Sequence, residues 1–109
     1  MSTVTIPAGE AVSAPLDLTS AAVTMVIAPA EWTPANITFQ VSVDGVNFFD
    51  LADAASGLEI SRALQPSTAL KIDQSYTRYV NHLKVRSGPR DDPIAQAADR
   101  VLTSVMERI

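Results

Sequence analysis

Cysteine is absent from this 109-residue chain, so neither a disulfide framework nor a thiolate metal site can form, and the redox compartment stays open. Basic charge is scarce. Eight Lys and Arg stand against twelve Asp and Glu, a formal net charge of −4, which argues against the clustered positive surface that tracks phosphates. Nucleic acid is therefore not an expected partner. Long apolar runs are also missing: the longest, residues 21–30, contains Thr24 and Pro29 and falls well short of the roughly 20 residues a bilayer requires. The opening "MSTVTIPAGE" has no basic n-region. The expectation is a soluble protein with no membrane partner and no export signal. At this length a single domain, residues 1–109, can bury a sizeable core without staples.

What is present reads as β-structure. "NITFQVSVDG" places Ile37, Phe39, Val41 and Val43 on one face and Thr38, Gln40 and Ser42 on the other, as a strand with one buried side does. In "AVTMVIAPAEW", Val23, Met25 and Ile27 alternate with Thr24, Val26 and Ala28, and Pro29 ends the run because it cannot donate to a ladder. "RYVNHLKVRSG" puts Tyr79, Leu83 and Val85 in phase, with His82, Lys84 and Arg86 opposite. The final segment, Arg100 to Met106, fits a strand or a short helix; its β-branched residues favour the strand. Shorter strands are expected at 2–6, 15–18, 58–64 and 68–72, divided by turn signals at 7–9, 55–57 and 65–67. "DQSYTR" and "PIAQAADR" can each make one helical turn. The fold class expected is an all-β, antiparallel, jelly-roll-like sandwich with little helix, an N-terminal arm over about residues 1–14 and a long loop at 87–99.

No pattern of residues carries a reaction. His82, the one histidine, lies on the polar side of its strand, and no Gly-x-Ser-x-Gly elbow accompanies it, so a surface or interface role is expected over a triad. Asp91, Asp92 and Asp99, with Asp73 elsewhere, are hard oxygen ligands of the kind calcium takes, but their spacing is not that of an EF-hand and Arg90 and Arg100 flank them. Loop solvation and local ion pairs explain them better. Trp32, between two prolines in "PAEWTPA", is either a core plug or an exposed sugar-stacking platform, and the nearby strand favours a partly buried plug. Arg86, at a strand end, is placed to clamp the following loop through Asp99 or to reach a partner subunit. No enzyme activity, cofactor or metal is expected.

Three segments together carry a resemblance: "PAEWTPANITFQVSVDGVNFFDL", "YVNHLKVRSG" and "PIAQAADRVLTSV". They resemble a family of small proteins encoded in the structural regions of tailed phages and prophages, over most of the chain from Leu16 onward. The resemblance implies a virion component, made in the host bacterial cytoplasm, with a jelly-roll-like or related β-sandwich. The expected role is a capsid-decorating or head-associated subunit; a neck, tail or fibre position is its variant. Its partners would be the major capsid protein or neck and tail proteins, in a homo-oligomer or symmetric array. "VNH" at 80–82 departs from the more apolar or basic strand of the pattern. A shorter resemblance, Ser42, Asp44, Gly45, Phe48 and Leu51, is similar to a hairpin of discoidin-type carbohydrate-binding sandwiches, which implies a sugar-binding module as the alternative. Contact residues expected for an assembly role are Phe49, Trp32, His82, Arg86 and Arg90.

The adjacent pair Phe48–Phe49 makes the hairpin register a specific expectation. An even-length loop faces Phe48 inward, whereas an odd loop buries Phe49 with Leu51. Phe48 inside, with a bulge returning Leu51 to the core, is the expected arrangement, because the plain even register points Asp50 inward. Phe49 is then the outward ring.

Overall fold

The structure is a computed structural model and describes residues 2–108. Among the described residues nine strands form: β1 (Ser2–Ile6), β2 (Leu16–Asp17), β3 (Ala21–Ile27), β4 (Ala35–Ser42), β5 (Phe49–Asp50), β6 (Arg62–Leu64), β7 (Ala69–Lys71), β8 (His82–Ser87) and β9 (Arg100–Arg108). One 3-10 turn, Gln74–Tyr76, falls in the "DQSYTR" segment and is capped by the Asp73 carboxylate, which accepts from the Ser75 amide. That hydrogen bond holds the Asp73 carboxyl below its ordinary range.

Two antiparallel sheets pack face to face in the order β1-β9-β3-β7 and β2-β8-β4-β5, with β6 sharing the free side of β4 beside β5. Most connections cross from one sheet to the other. This is the strand order of a jelly roll, and the expected all-β sandwich is what the chain forms. Val4, Ile6, Val23, Val26 and Leu102 face Ile37, Phe39, Leu83 and Val85 across the core.

Alternation locates the strands but not every side chain. A β-bulge lies between Val23 and Met25, where the pairing with β9 shifts register. It reverses the parity of β3: Val23, Val26 and Ala28 are buried while Met25 and Ile27 turn outward. The in-phase set Val23, Met25, Ile27 expected from the sequence is thus split by one extra residue, Thr24, whose hydroxyl donates to the Val105 carbonyl at 3.1 Å. Val43 also leaves its expected face, at 71 % exposure, because β4 stops at Ser42.

The segment expected as an N-terminal arm belongs to the body. Residue 1 lies outside the described residues, but Ser2–Ile6 pairs along its length with β9 and buries Val4 and Ile6. Farther on, the Ser13 amide donates to Val85 and the Ser87 amide to Ala11. "PIAQAADR" makes no helical turn, because its backbone is spent on neighbours: the Ile94 amide donates to Ser87 and the Gln96 amide to Glu10. Gln96 itself is buried, accepting from the Thr33 amide at 3.0 Å and donating to the Ser87 hydroxyl at 2.8 Å. Gly88, at φ 85°, opens this loop where a Cβ would sit 2.8 Å from the Asp92 carbonyl.

The two outer faces differ in kind. On the β4–β8 sheet the outward positions are polar and charged: Asn36, Thr38 and Gln40 on β4, Lys84 and Arg86 on β8, Asp50 on β5. On the β3–β9 sheet they are Met25 and Ile27, Val101, Thr103 and Val105, with Thr3 and Thr5 on β1 and Ala69 on β7; Lys71 and Glu107 are its charges. A solvated antiparallel face normally reads polar-out. The second one does not.

Candidate functional site

The hairpin between β4 and β5 determines what one end of the sandwich presents. Val41 pairs with Phe49 and Gln40 with Asp50, so residues 42–48 form the connection, an odd number. The expected even register, with Phe48 in the core, does not form. Phe48 instead lies half-buried over the outer side, with the Lys84 ammonium 4.3 Å from its ring centroid. Asp50 consequently faces outward too, where it finds a cation, and the desolvation cost that argued against an inward Asp50 never arises. Leu51 packs against the core and donates its amide to the Phe39 carbonyl. Phe49 shares the inward parity of Val41 but sits on a two-residue edge strand, and so stays 66 % exposed.

The connection is ordered by its own polar groups. The Ser42 hydroxyl accepts from the Asp44 and Gly45 amides, and the Asp44 carboxylate accepts from the Val46 and Asn47 amides at 2.9 and 2.8 Å. Donation from the Asn47 amide, then from the Val46 amide, then from the Asn47 and Ser42 side chains, holds the Asp44 carboxyl far below its usual range. Its contribution to loop order is complete above the ordinary Asp value of about 3.9 and is lost only as pH falls through the lowered folded value. The Val46 and Asn47 amide resonances should therefore keep their positions from about pH 5 to pH 3, whereas an ordinary carboxylate cap would titrate within that window; an NMR titration checks this. Gly45, at φ 77°, lies against the His82 ring, where a Cβ would stand 3.0 Å from Nε2. His82, expected as a contact residue, is thus half-buried beneath the hairpin tip, and its ring supports the turn.

This loop carries Val43 and Val46, 71 % and 79 % exposed. Beside it, the Asn81 side chain donates to the Val43 carbonyl and the Asn81 amide to Ser42, which brings the 78–81 segment alongside. Tyr79 there is 81 % exposed and sits at φ 64°, a left-handed backbone that costs a non-glycine residue roughly 1–2 kcal/mol. It borders an open cleft of about 360 Å³ shared with Ser20, which is also left-handed at φ 61°. Val43 and Val46 on this loop, Tyr79 on the segment hydrogen-bonded to it and Phe49 on the adjoining edge strand are thus the exposed apolar side chains of this end, its apolar rim. Of these, the sequence pointed only to Phe49; the exposed dipeptide positions around Asp44-Gly45 were the available signal for the two valines, and alternation had placed Val43 and Tyr79 with the buried sets.

Arg86 has a different place from the one expected. Its guanidinium is buried on the outer side of β8, where Nε donates to the Thr38 hydroxyl at 2.9 Å, and its terminal nitrogens reach Asp50 at 2.8 Å and Glu59. It clamps the β5 hairpin and not the 87–99 loop through Asp99, whose carboxylate accepts from the Ala8 amide. Arg90 completes the cluster: its backbone amide donates to Glu59, while its side chain, 59 % exposed, stands 3.8 Å from Asp50 over a cleft of about 260 Å³. Arg86 is therefore unavailable to a partner, and Arg90 is available.

Trp32 is 2 % exposed, more deeply buried than the partial plug expected, and its indole N–H donates to the Leu64 carbonyl at 3.1 Å. It can serve neither as a contact residue nor as a sugar platform. Asp73, Asp91, Asp92 and Asp99 do not converge: among the described residues no group of three His or carboxylate side chains is placed to hold a metal ion. Comparison with family models, with curated proteins and with solved structures finds no match to this chain.

Proposed function

We propose that this chain is a structural subunit of a tailed-phage particle, acting by protein–protein assembly and without a chemical step, with a capsid-decorating or head-associated position first and a neck or tail position as its variant. The observation that carries the assembly reading is the apolar rim: Val43, Val46 and Tyr79 are exposed on a loop pair tied down by side-chain hydrogen bonds, and Phe49 is exposed on the adjoining edge strand β5. A rigid, exposed apolar cluster pays little ordering entropy on docking, which is what a contact point in a lattice needs. Arg90, beside Asp50 on the edge strand that carries Phe49, supplies a polar margin there. The virion itself is inferred from the residue pattern; a jelly roll serves many functions and adds nothing to that choice. The carbohydrate alternative loses Trp32 and is left with Phe49 and Tyr79 as stacking rings.

The test is incorporation into particles by rim variants. Phe49→Ala and Val46→Asp should fold normally, since both side chains are exposed, and should reduce incorporation at least about tenfold. Tyr79→Gly should lower incorporation while raising stability by about 1 kcal/mol, because glycine relieves the left-handed strain. Undiminished incorporation of all three would remove the rim from the assembly contact.

A further inference from the structure

The outer face of the β3–β9 sheet carries a second surface, on the side of the molecule defined by a different sheet from the rim and independent of the phage reading. We infer that this face is a self-association surface, on which a second copy of the chain packs sheet to sheet. Three observations lead there.

The first is the composition of the face. Met25 and Ile27 from β3 and Val101 and Val105 from β9 lie on it in register, Met25 opposite Val105, with threonines between and beside them. Val101 is 50 % exposed, and the other three are half-buried. The bulge at Thr24 puts them there: without it, Met25 and Ile27 would point into the core with Val23. The opposite sheet covers its outer side with charge and satisfies it internally, through Arg86, Asp50 and Glu59. One sandwich thus carries one face built for water and one that is not.

Charge is the second. The whole chain is net negative, so two copies meeting through an ordinary surface would repel. This face avoids that cost. Its charges are Lys71, on β7 opposite Met25, and Glu107, near the far end of β9. A two-fold axis running along the strands sets β9 of one copy against β3 of the other and β7 against β1. Lys71 then lies diagonal to Glu107 of the second copy, within reach of a long side chain, and the pair occurs twice by symmetry.

Area is the third. Four strands about 4.8 Å apart and about six residues long give a face of roughly 19 by 20 Å. Two such faces bury about 760 Å² in total, below the roughly 1,000 Å² of a stable specific interface and on the scale of a weak, transient one. A weak dimer, with Kd of roughly 10–100 μM, is the scale this supports. Such a contact is negligible in dilute solution and becomes decisive where copies are held close, since a second contact then acts at a high effective concentration.

The experiment is sedimentation equilibrium of the full chain from about 1 to 500 μM. The wild type should pass from monomer to dimer across that range. Met25→Glu should weaken the dimer at least tenfold; because Met25 is half-buried within β3, Val101→Glu, at a half-exposed position, is measured beside it and should do the same with an unchanged melting temperature. Lys71→Glu should weaken association, and the reciprocal exchange Lys71→Glu with Glu107→Lys should restore it. Phe49→Ala should leave it unchanged, so loss of particle incorporation and loss of self-association are separate outcomes. A chain that stays monomeric at 500 μM overturns the inference. So does a dimer that Val101→Glu leaves intact, or one that the reciprocal exchange fails to rescue.

Discussion

Arg86→Ala should destabilise the protein by about 3–5 kcal/mol, the cost of breaking a buried ion pair from one side. The guanidinium is 5 % exposed and bridges two carboxylates and a hydroxyl. Its removal leaves Asp50 and Glu59 facing each other without their common cation. Thr38, fully buried, loses the donor to its hydroxyl while keeping its bond to the Gly88 carbonyl. The damage should also be local: Asp50 on β5 and Glu59 of the Ala52–Glu59 bridge are both held to β8 by this side chain. For a domain of this size, 3 kcal/mol corresponds to a fall in Tm of about 12 °C or more. A triple replacement, Arg86→Met with Asp50→Asn and Glu59→Gln, removes the cluster as a unit and should recover much of the loss, since no uncompensated charge remains. A single Arg86→Ala variant with unchanged Tm would mean that the cluster is a surface decoration.

Trp32→Ala should cost about 3–5 kcal/mol, through lost transfer energy and the cavity left behind. Trp32 is the largest of the fully buried side chains, between the segment that closes β3 and the start of β4. Trp32→Phe separates the two parts of its role: it fills most of the volume but deletes the bond to the Leu64 carbonyl, and should cost about 1–3 kcal/mol. Its fluorescence should be that of a dry indole, poorly quenched by acrylamide and unresponsive to saccharides, because the ring is 2 % exposed. Ready quenching in the folded protein would contradict the burial.

Strand positions were legible in the chain because alternation and turn residues report them directly: Ile37 and Phe39 against Thr38, Leu83 and Val85 against Lys84, and Pro29 and Gly88 just past strand ends, although the strand expected over 58–64 forms only over Arg62–Leu64. The sandwich follows from those signals. Three features were not legible, each for a physical reason. The bulge at Thr24 shifts register through pairing with β9, some eighty residues away in the chain, and period-two reading has no access to it. The 41–51 hairpin resolves to the odd register because Asp50 has Arg86 to meet on the outer side, a partner set by β4 and β8 being adjacent. Polarity misled at Thr38, Arg86 and Gln96, which alternation or composition places in water and which are buried because each finds its hydrogen bonds within the fold. The same gap hid the site: Val43 and Tyr79 are in phase with core residues and are exposed because the strands end before reaching them.

The proposed assembly role is tested most directly by quantifying this chain in density-gradient-purified particles against the major capsid protein by mass spectrometry. It should sediment with the particles at a fixed copy ratio that high salt leaves largely intact, because the rim is apolar. Its absence from purified particles, with the chain found only as free protein in the same lysate, would contradict it.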